Sequence, residues 1–199
     1  MFWVIFIALI ADFAIGLLST ILNVRFLNSD PPVELEDVYE KEAYRKSQEY
    51  TRIHSLFGLI TGSFKLVLLL TFWLVGGFNY IDQIVRVMGW NEISNGIAFM
   101  GILAAFGFIL NIPLDLYSTF VIEQKFGFNK TTYQTYILDT LKSILLSVVI
   151  SIPVVIGILY FFEHTSSLAW VYVWIFVTVI SFVFSIIGPI WIMPIFNKF

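Results

Sequence analysis

Five apolar runs, each long enough to cross a bilayer as a helix, dominate this sequence; they lie near residues 2–22, 56–78, 96–116, 141–162 and 169–193. A hydrocarbon core about 30 Å thick takes roughly 20 helical residues to span. Lipid offers no water to unpaired backbone N–H and C=O groups, so only helices and closed barrels cross it. The runs lack the period-two alternation of barrel strands. The sequence therefore predicts an all-α fold, a polytopic integral membrane helical bundle of five transmembrane helices, with the lipid bilayer as its first partner. Composition agrees: 59% of residues are hydrophobic and only 13% charged, and the mean hydropathy of +0.89 lies far outside the soluble range. The first run has no basic residue ahead of it and no small-x-small site after Leu22, so it reads as an uncleaved anchor and not a secretory signal.

Charge sets the expected orientation. The connection after the first run carries Arg25, Lys41, Arg45, Lys46 and Arg52, and the one after the third carries Lys125, Lys130 and Lys142, while the opposite side has only Arg86. The positive-inside rule then places both rich connections and the C-terminus in the cytoplasm and the N-terminus outside. That membrane is the endoplasmic reticulum for a eukaryotic chain and the cell membrane for a prokaryotic one. A net charge of -3, with every basic cluster flanked by acids, gives nucleic-acid binding no support. With no cysteine, the chain has no disulfide, thiolate metal site or cysteine nucleophile.

No repeat or composition break divides the chain, and residues 1–199 read as a single membrane domain. Its sizeable soluble part is the helix-rich connection 24–55. There Ser29 or Asp30 is suited to cap a helix whose first turn accepts Pro31 or Pro32. Asp37 with Lys41, and Glu42 with Lys46, have the i,i+4 spacing of helical ion pairs. A helix entering the second run would carry Leu35, Tyr39, Ala43, Tyr50 and Ile53 on a rough stripe. It serves either as a solvated linker or as a docking face for the bundle or a second domain.

Charges inside the apolar runs are the next clue, because each costs roughly 2.5–3.5 kcal/mol at a helix centre. Asp12 and Lys65 would pair if the first two helices pack antiparallel, as structural glue or as the lining of a hydrated cavity. Asp115 comes with company: Asn111, Pro113, Tyr117, Ser118, Thr119 and Glu123 precede the sequence Phe126-Gly127-Phe128-Asn129-Lys130. Pro113 frees a carbonyl one turn back, and irregular polar backbone survives at membrane depth only against protein or water. This end of the third helix thus faces either an internal, hydrated space open to the cytoplasm or simply the headgroup region. Residues 126–130 read as a compact turn with Gly at its centre and aromatics able to insert into the bundle. Pro153 should kink the fourth span, and Gly188-Pro189 with Pro194 should bend or end the fifth. Trp73, Trp90, Trp170, Trp174 and Trp191 fall near span ends, as interfacial anchors do.

His54 and His164 are the histidines of the chain, neither is followed by Glu or by a second His four residues on, and the expected topology puts them on opposite sides of the membrane. No catalytic residue and no metal ligand is expected here.

Tyr44-Arg45-Lys46-Ser47-Gln48-Glu49-Tyr50, the stretch 113–130 and Phe196-Asn197-Lys198-Phe199 together carry a resemblance to the N-terminal membrane domain of the CAAX prenyl protease family of zinc metalloproteases. The resemblance implies spans that help wall an intramembrane chamber, with zinc, His-Glu-x-x-His and a Glu ligand in a following module. That motif is missing from this sequence. The implied role is non-catalytic: chamber wall and docking surface for a catalytic metalloprotease module supplied in cis or trans. The implied substrate of the complete enzyme is a prenylated or other membrane-associated protein. Asp115, Tyr117, Glu123, Asn129 and Lys130 are the candidates for the chamber or module-facing surface. A small ion- or proton-conducting, transporter-like bundle using Asp12, Lys65 and Asp115, and a stand-alone membrane scaffold, are the alternatives.

Overall fold

A computed structural model of the chain describes residues 2–27 and 40–196, and these are helical nearly throughout. Ser29, Asp30, Pro31, Pro32, Leu35, Asp37 and Tyr39, with Asn197, Lys198 and Phe199, lie outside the described residues. In chain order the elements are α1 (Phe2–Arg25), α2 (Lys41–Leu74), α3 (Gly77–Val87) and α4 (Glu92–Tyr117). A π-helical turn (Ser118–Glu123) and the short α5 (Gln124–Phe126) follow, then α6 (Tyr133–His164), α7 (Ala169–Ile187), a second π-helical turn (Gly188–Ile192) and α8 (Met193–Phe196). Five helical stretches are long and apolar enough to cross a membrane: Phe2–Arg25, Lys41–Leu74, Glu92–Phe126, Tyr133–His164 and Ala169–Phe196. The protein is a multi-pass, all-α membrane protein. Its spans expose Leu, Ile, Val and Phe outward, as helices solvated by lipid should.

The helices differ from the apolar runs at their ends. At 34 residues α2 is about 50 Å long, well beyond the bilayer's hydrocarbon, so its charged first turns extend out of the membrane. Within those turns Glu42 and Lys46 form no ion pair among the described residues. Leu74, not residue 78, ends α2, because Gly76 adopts a left-handed φ of 79° and turns the backbone. Residues 77–87 then form α3, an amphipathic helix that the hydropathy of the runs does not announce. Pro153 lies inside α6, and α6 runs on through it.

Within the chain two compact units can be described, Met1–Phe78 with Gly107–Lys130, and Asn79–Phe106 with Thr131–Phe199. In the first unit α1 and α2 are antiparallel. The Phe2 ring lies 4.7 Å from that of Trp73, and a Cβ on Gly62 would meet the Phe13 ring at 3.9 Å. In the second unit α6 and α7 form an antiparallel pair joined by a tight turn at 165–168. Phe161 meets Tyr172 at 6.0 Å and Phe176 at 5.6 Å. Gly157 makes that approach possible, since a Cβ there would stand 2.4 Å from the Phe176 ring.

Candidate functional site

Where α4 ends, the backbone changes pitch. Pro113 has no N–H, so the helix ladder loses the bond that would return to the carbonyl of Ile109. Two residues earlier Asn111 Nδ2 donates to the Gly107 carbonyl at 2.7 Å. Beyond Tyr117 the helix widens into the π-helical turn Ser118–Glu123, a distortion often found at functional sites. It closes at Gly127, whose φ of 74° lies in the left-handed region that a side chain disfavours. Gly127 N–H donates to the Gln124 carbonyl at 3.1 Å and Phe128 N–H to the Glu123 carbonyl at 2.9 Å, the paired bonds of a Schellman motif. Asn129 N–H shares the Glu123 carbonyl at 3.3 Å. Residues 124–130 are thereby a defined hook.

The hook is held by one face of α2. Tyr50, His54 and Phe57 are spaced i, i+4, i+7 and so share that face. The Tyr50 ring meets Phe126 edge-on at 5.5 Å and Phe128 at 4.8 Å, with His54 at 5.6 Å beside it. Two turns on, Phe57 lies 5.2 Å from Tyr117. Glu49 accepts from Lys125 Nζ at 3.2 Å, and the same ammonium lies 5.0 Å from the Phe126 ring centroid. Lys46 Nζ approaches Gly127 closely enough that a Cβ there would meet it at 3.7 Å. Ile122 and Phe126, each 3% exposed, seal the contact. The aromatic contacts supply most of the attachment, because an ion pair exposed on both sides is worth about 0–1 kcal/mol.

The structure sorts the candidate residues. Glu123 and Asn129 are half-buried, with the Glu123 carbonyl closing the hook, while Tyr117 packs on Phe57 and is still 50% exposed. Asp115 is exposed on the last turns of α4, and Lys130 is exposed where the hook ends. Asp12 on α1 and Lys65 on α2 are both exposed, and among the described residues no ion pair joins them, although their helices do pack together. Phe57 is a contact that the sequence pattern does not single out; its i+7 spacing from Tyr50 is the signal that could have found it.

The zinc of a metalloprotease does not fit the described residues. No three His, Asp or Glu side chains among them converge as a ligand set. His54 packs on Tyr50, and His164 stacks on Tyr160 at 4.1 Å with its Nδ1 3.1 Å from the Tyr160 carbonyl. Both histidines serve local packing.

Known proteins share this arrangement of spans. A family model described as CAAX prenyl protease N-terminal, five membrane helices, matches residues 20–198. CAAX prenyl protease 1 of Saccharomyces cerevisiae is 33% identical over 180 residues, which is 85% of this chain and 39% of the yeast protein. Probable CAAX prenyl protease 1 of Schizosaccharomyces pombe is 32% identical over 96% of this chain and 44% of its own length. The crystal structure of S. mikatae Ste24p matches with a TM-score of 0.84 at 30% identity, over 96% of this chain and 46% of that one. The chain thus spans less than half the length of each of these relatives.

Proposed function

The chain belongs to the CAAX prenyl protease family, through a match of residues 20–198 to that family's N-terminal part of five membrane helices, and from this membership we propose that it acts as the N-terminal transmembrane domain of a zinc metalloendopeptidase. Its spans form part of the wall of an intramembrane chamber. The surface around Asp115, Tyr117, Glu123, Asn129 and Lys130 docks the catalytic module, which joins in cis or trans and brings the zinc. These residues do no chemistry alone; they position a prenylated or other membrane-associated protein over that module. The N-terminus faces away from the cytoplasm, and the start of α2 and the hook face into it.

One observation supports this reading above the others. Residues 44–50 and 113–130, far apart in sequence and the carriers of the family resemblance, meet through Glu49, Tyr50, Lys125, Phe126 and Phe128. A hook fastened at its base while Asp115 and Lys130 remain exposed is built to present those side chains to something else. The test is a photo-reactive amino acid placed at Lys130, and separately at Val4, in the full chain in its native membranes. The Lys130 probe should crosslink to polypeptide bearing His-Glu-x-x-His, and the Val4 probe should not. Equal capture at both positions, or none at Lys130, would refute the docking role.

A further inference from the structure

Between the second and third membrane helices the chain makes an element that no membrane-spanning role explains. The 11 residues of α3 reach about 16 Å, half of what a crossing needs. Gly76 and Gly89, with φ of 79° and 69°, bracket it and let the backbone turn out of one span and toward the next. Its side chains fall into three sectors at 100° per residue. Phe78, Ile81 and Val85 occupy one; Val85 is 1% exposed and the other two are half-buried. Asn79, Asp82, Gln83 and Arg86 form the polar sector. The third sector, Tyr80, Ile84 and Val87, is apolar and, with Met88 just beyond the helix, between 41% and 87% exposed.

The polar sector is organised away from that stripe. Arg86 Nε donates to Asp82 at 2.8 Å and its Nη1 to Glu92 at 3.0 Å. The hydrogen bond to Asp82, then that to Glu92, raises the guanidinium pKa above its ordinary value. Trp90 follows the stripe, half-exposed, with its carbonyl held by Asn95 Nδ2 at 3.1 Å. Asn91 Oδ1 caps α4 by accepting from Ser94 N–H at 2.8 Å. An apolar stripe, an opposing charged face, and Tyr and Trp at its edge are the marks of a helix lying in the headgroup region.

We propose that α3 is an interfacial helix, with Tyr80, Ile84, Val87 and Met88 immersed in the lipid at the rim of the bilayer. The occupant of the stripe is lipid because both ends of α3 lead into transmembrane helices, which hold it at the membrane surface. Insertion of such a face reaches about 5–10 Å into the headgroup and acyl boundary. There α3 would set the depth at which the two spans emerge. This inference stands apart from the protease reading.

The chain contains no cysteine, so single spin labels can be placed without background. The full chain carrying Asn79→Cys, Tyr80→Cys, Gln83→Cys or Ile84→Cys is reconstituted in phosphatidylcholine vesicles. Collision of each label with oxygen, which partitions into lipid, is compared with collision with a water-soluble nickel chelate. The oxygen-to-nickel ratio should be several-fold higher at positions 80 and 84 than at 79 and 83. A flat profile overturns the proposal, as does equal nickel access at all four sites, which would put the stripe in water. Labels at 80 and 84 shielded from both reagents would mean that protein covers the stripe, and the lipid assignment would fail.

Discussion

At Ser118–Glu123 and again at Gly188–Ile192 a transmembrane helix widens into a π-helical turn, and each time a proline is close by, Pro113 before the first and Pro189 within the second. The two turns then part company. The first is covered by α2: Ile122 and Phe126 are buried, Gly127 closes the hook, and Tyr50 and Phe57 pack against it. The second leaves Ile190, Trp191 and Met193 exposed, with Lys142 reaching the Ile195 carbonyl at 3.4 Å and approaching the Phe196 ring. Their sequences follow suit, since the half-buried Asn111 and Glu123 accompany the covered turn and the open one is almost wholly apolar. A proline and a wide turn change only the backbone. Protein cover against the distorted segment is what allows polar groups to stay there, because lipid cannot satisfy them.

The contrast is sharpest at the aromatic side chains. Phe126→Ala should lower the unfolding free energy in detergent by about 3–5 kcal/mol, the usual cost of emptying a buried Phe site. Trp191→Ala, at a residue 73% exposed, should change it by less than about 0.5 kcal/mol. Equal losses at the two positions would break the comparison. Glycine provides the next test. Gly127→Ala forces a side chain into left-handed backbone and should cost about 1–2 kcal/mol. Gly188 is already in right-handed helical geometry, so Gly188→Ala meets no left-handed penalty and, with only the ring of the following Pro189 to crowd its Cβ, should cost less than Gly127→Ala. Thermal or denaturant unfolding of the paired variants separates them. The smallest effect belongs to Glu49 and Lys125, more than half exposed on both sides. A double-mutant cycle there should yield about 0.2–1 kcal/mol, falling as salt rises. A salt-independent coupling would show that the hook is held by something other than surface charge.

Legibility in the sequence is uneven for physical reasons. Lipid demands length and apolarity, both local and additive along the chain, so the five spans can be read directly. The turn at 126–130 is legible because Gly127 between two aromatics carries its own backbone instruction. The partner face on α2 is not, since Phe57 reads as one more apolar residue at the start of a span. Asp12 and Lys65 illustrate the converse. Their helices pack, yet their charges do not meet, because pairing depends on how each helix is rotated and how far it is shifted. The amphipathic α3 is hidden by its shortness: a hydropathy window long enough to find a span blurs an 11-residue helix, and only the sectors of its wheel expose it.

By itself, then, the sequence determined the all-α membrane class, the number of spans, and the segments that mark the family. Tertiary structure decided that residues 44–50 fasten the hook at 124–130, that the turn at 118–123 is sheltered while that at 188–192 is open, and that α3 exposes one apolar stripe. Hydropathy is summed residue by residue along the chain. Shelter depends on which helix stands opposite, and that is set by the packing of residues far apart in the chain, such as Glu49 and Lys125 at a separation of 76.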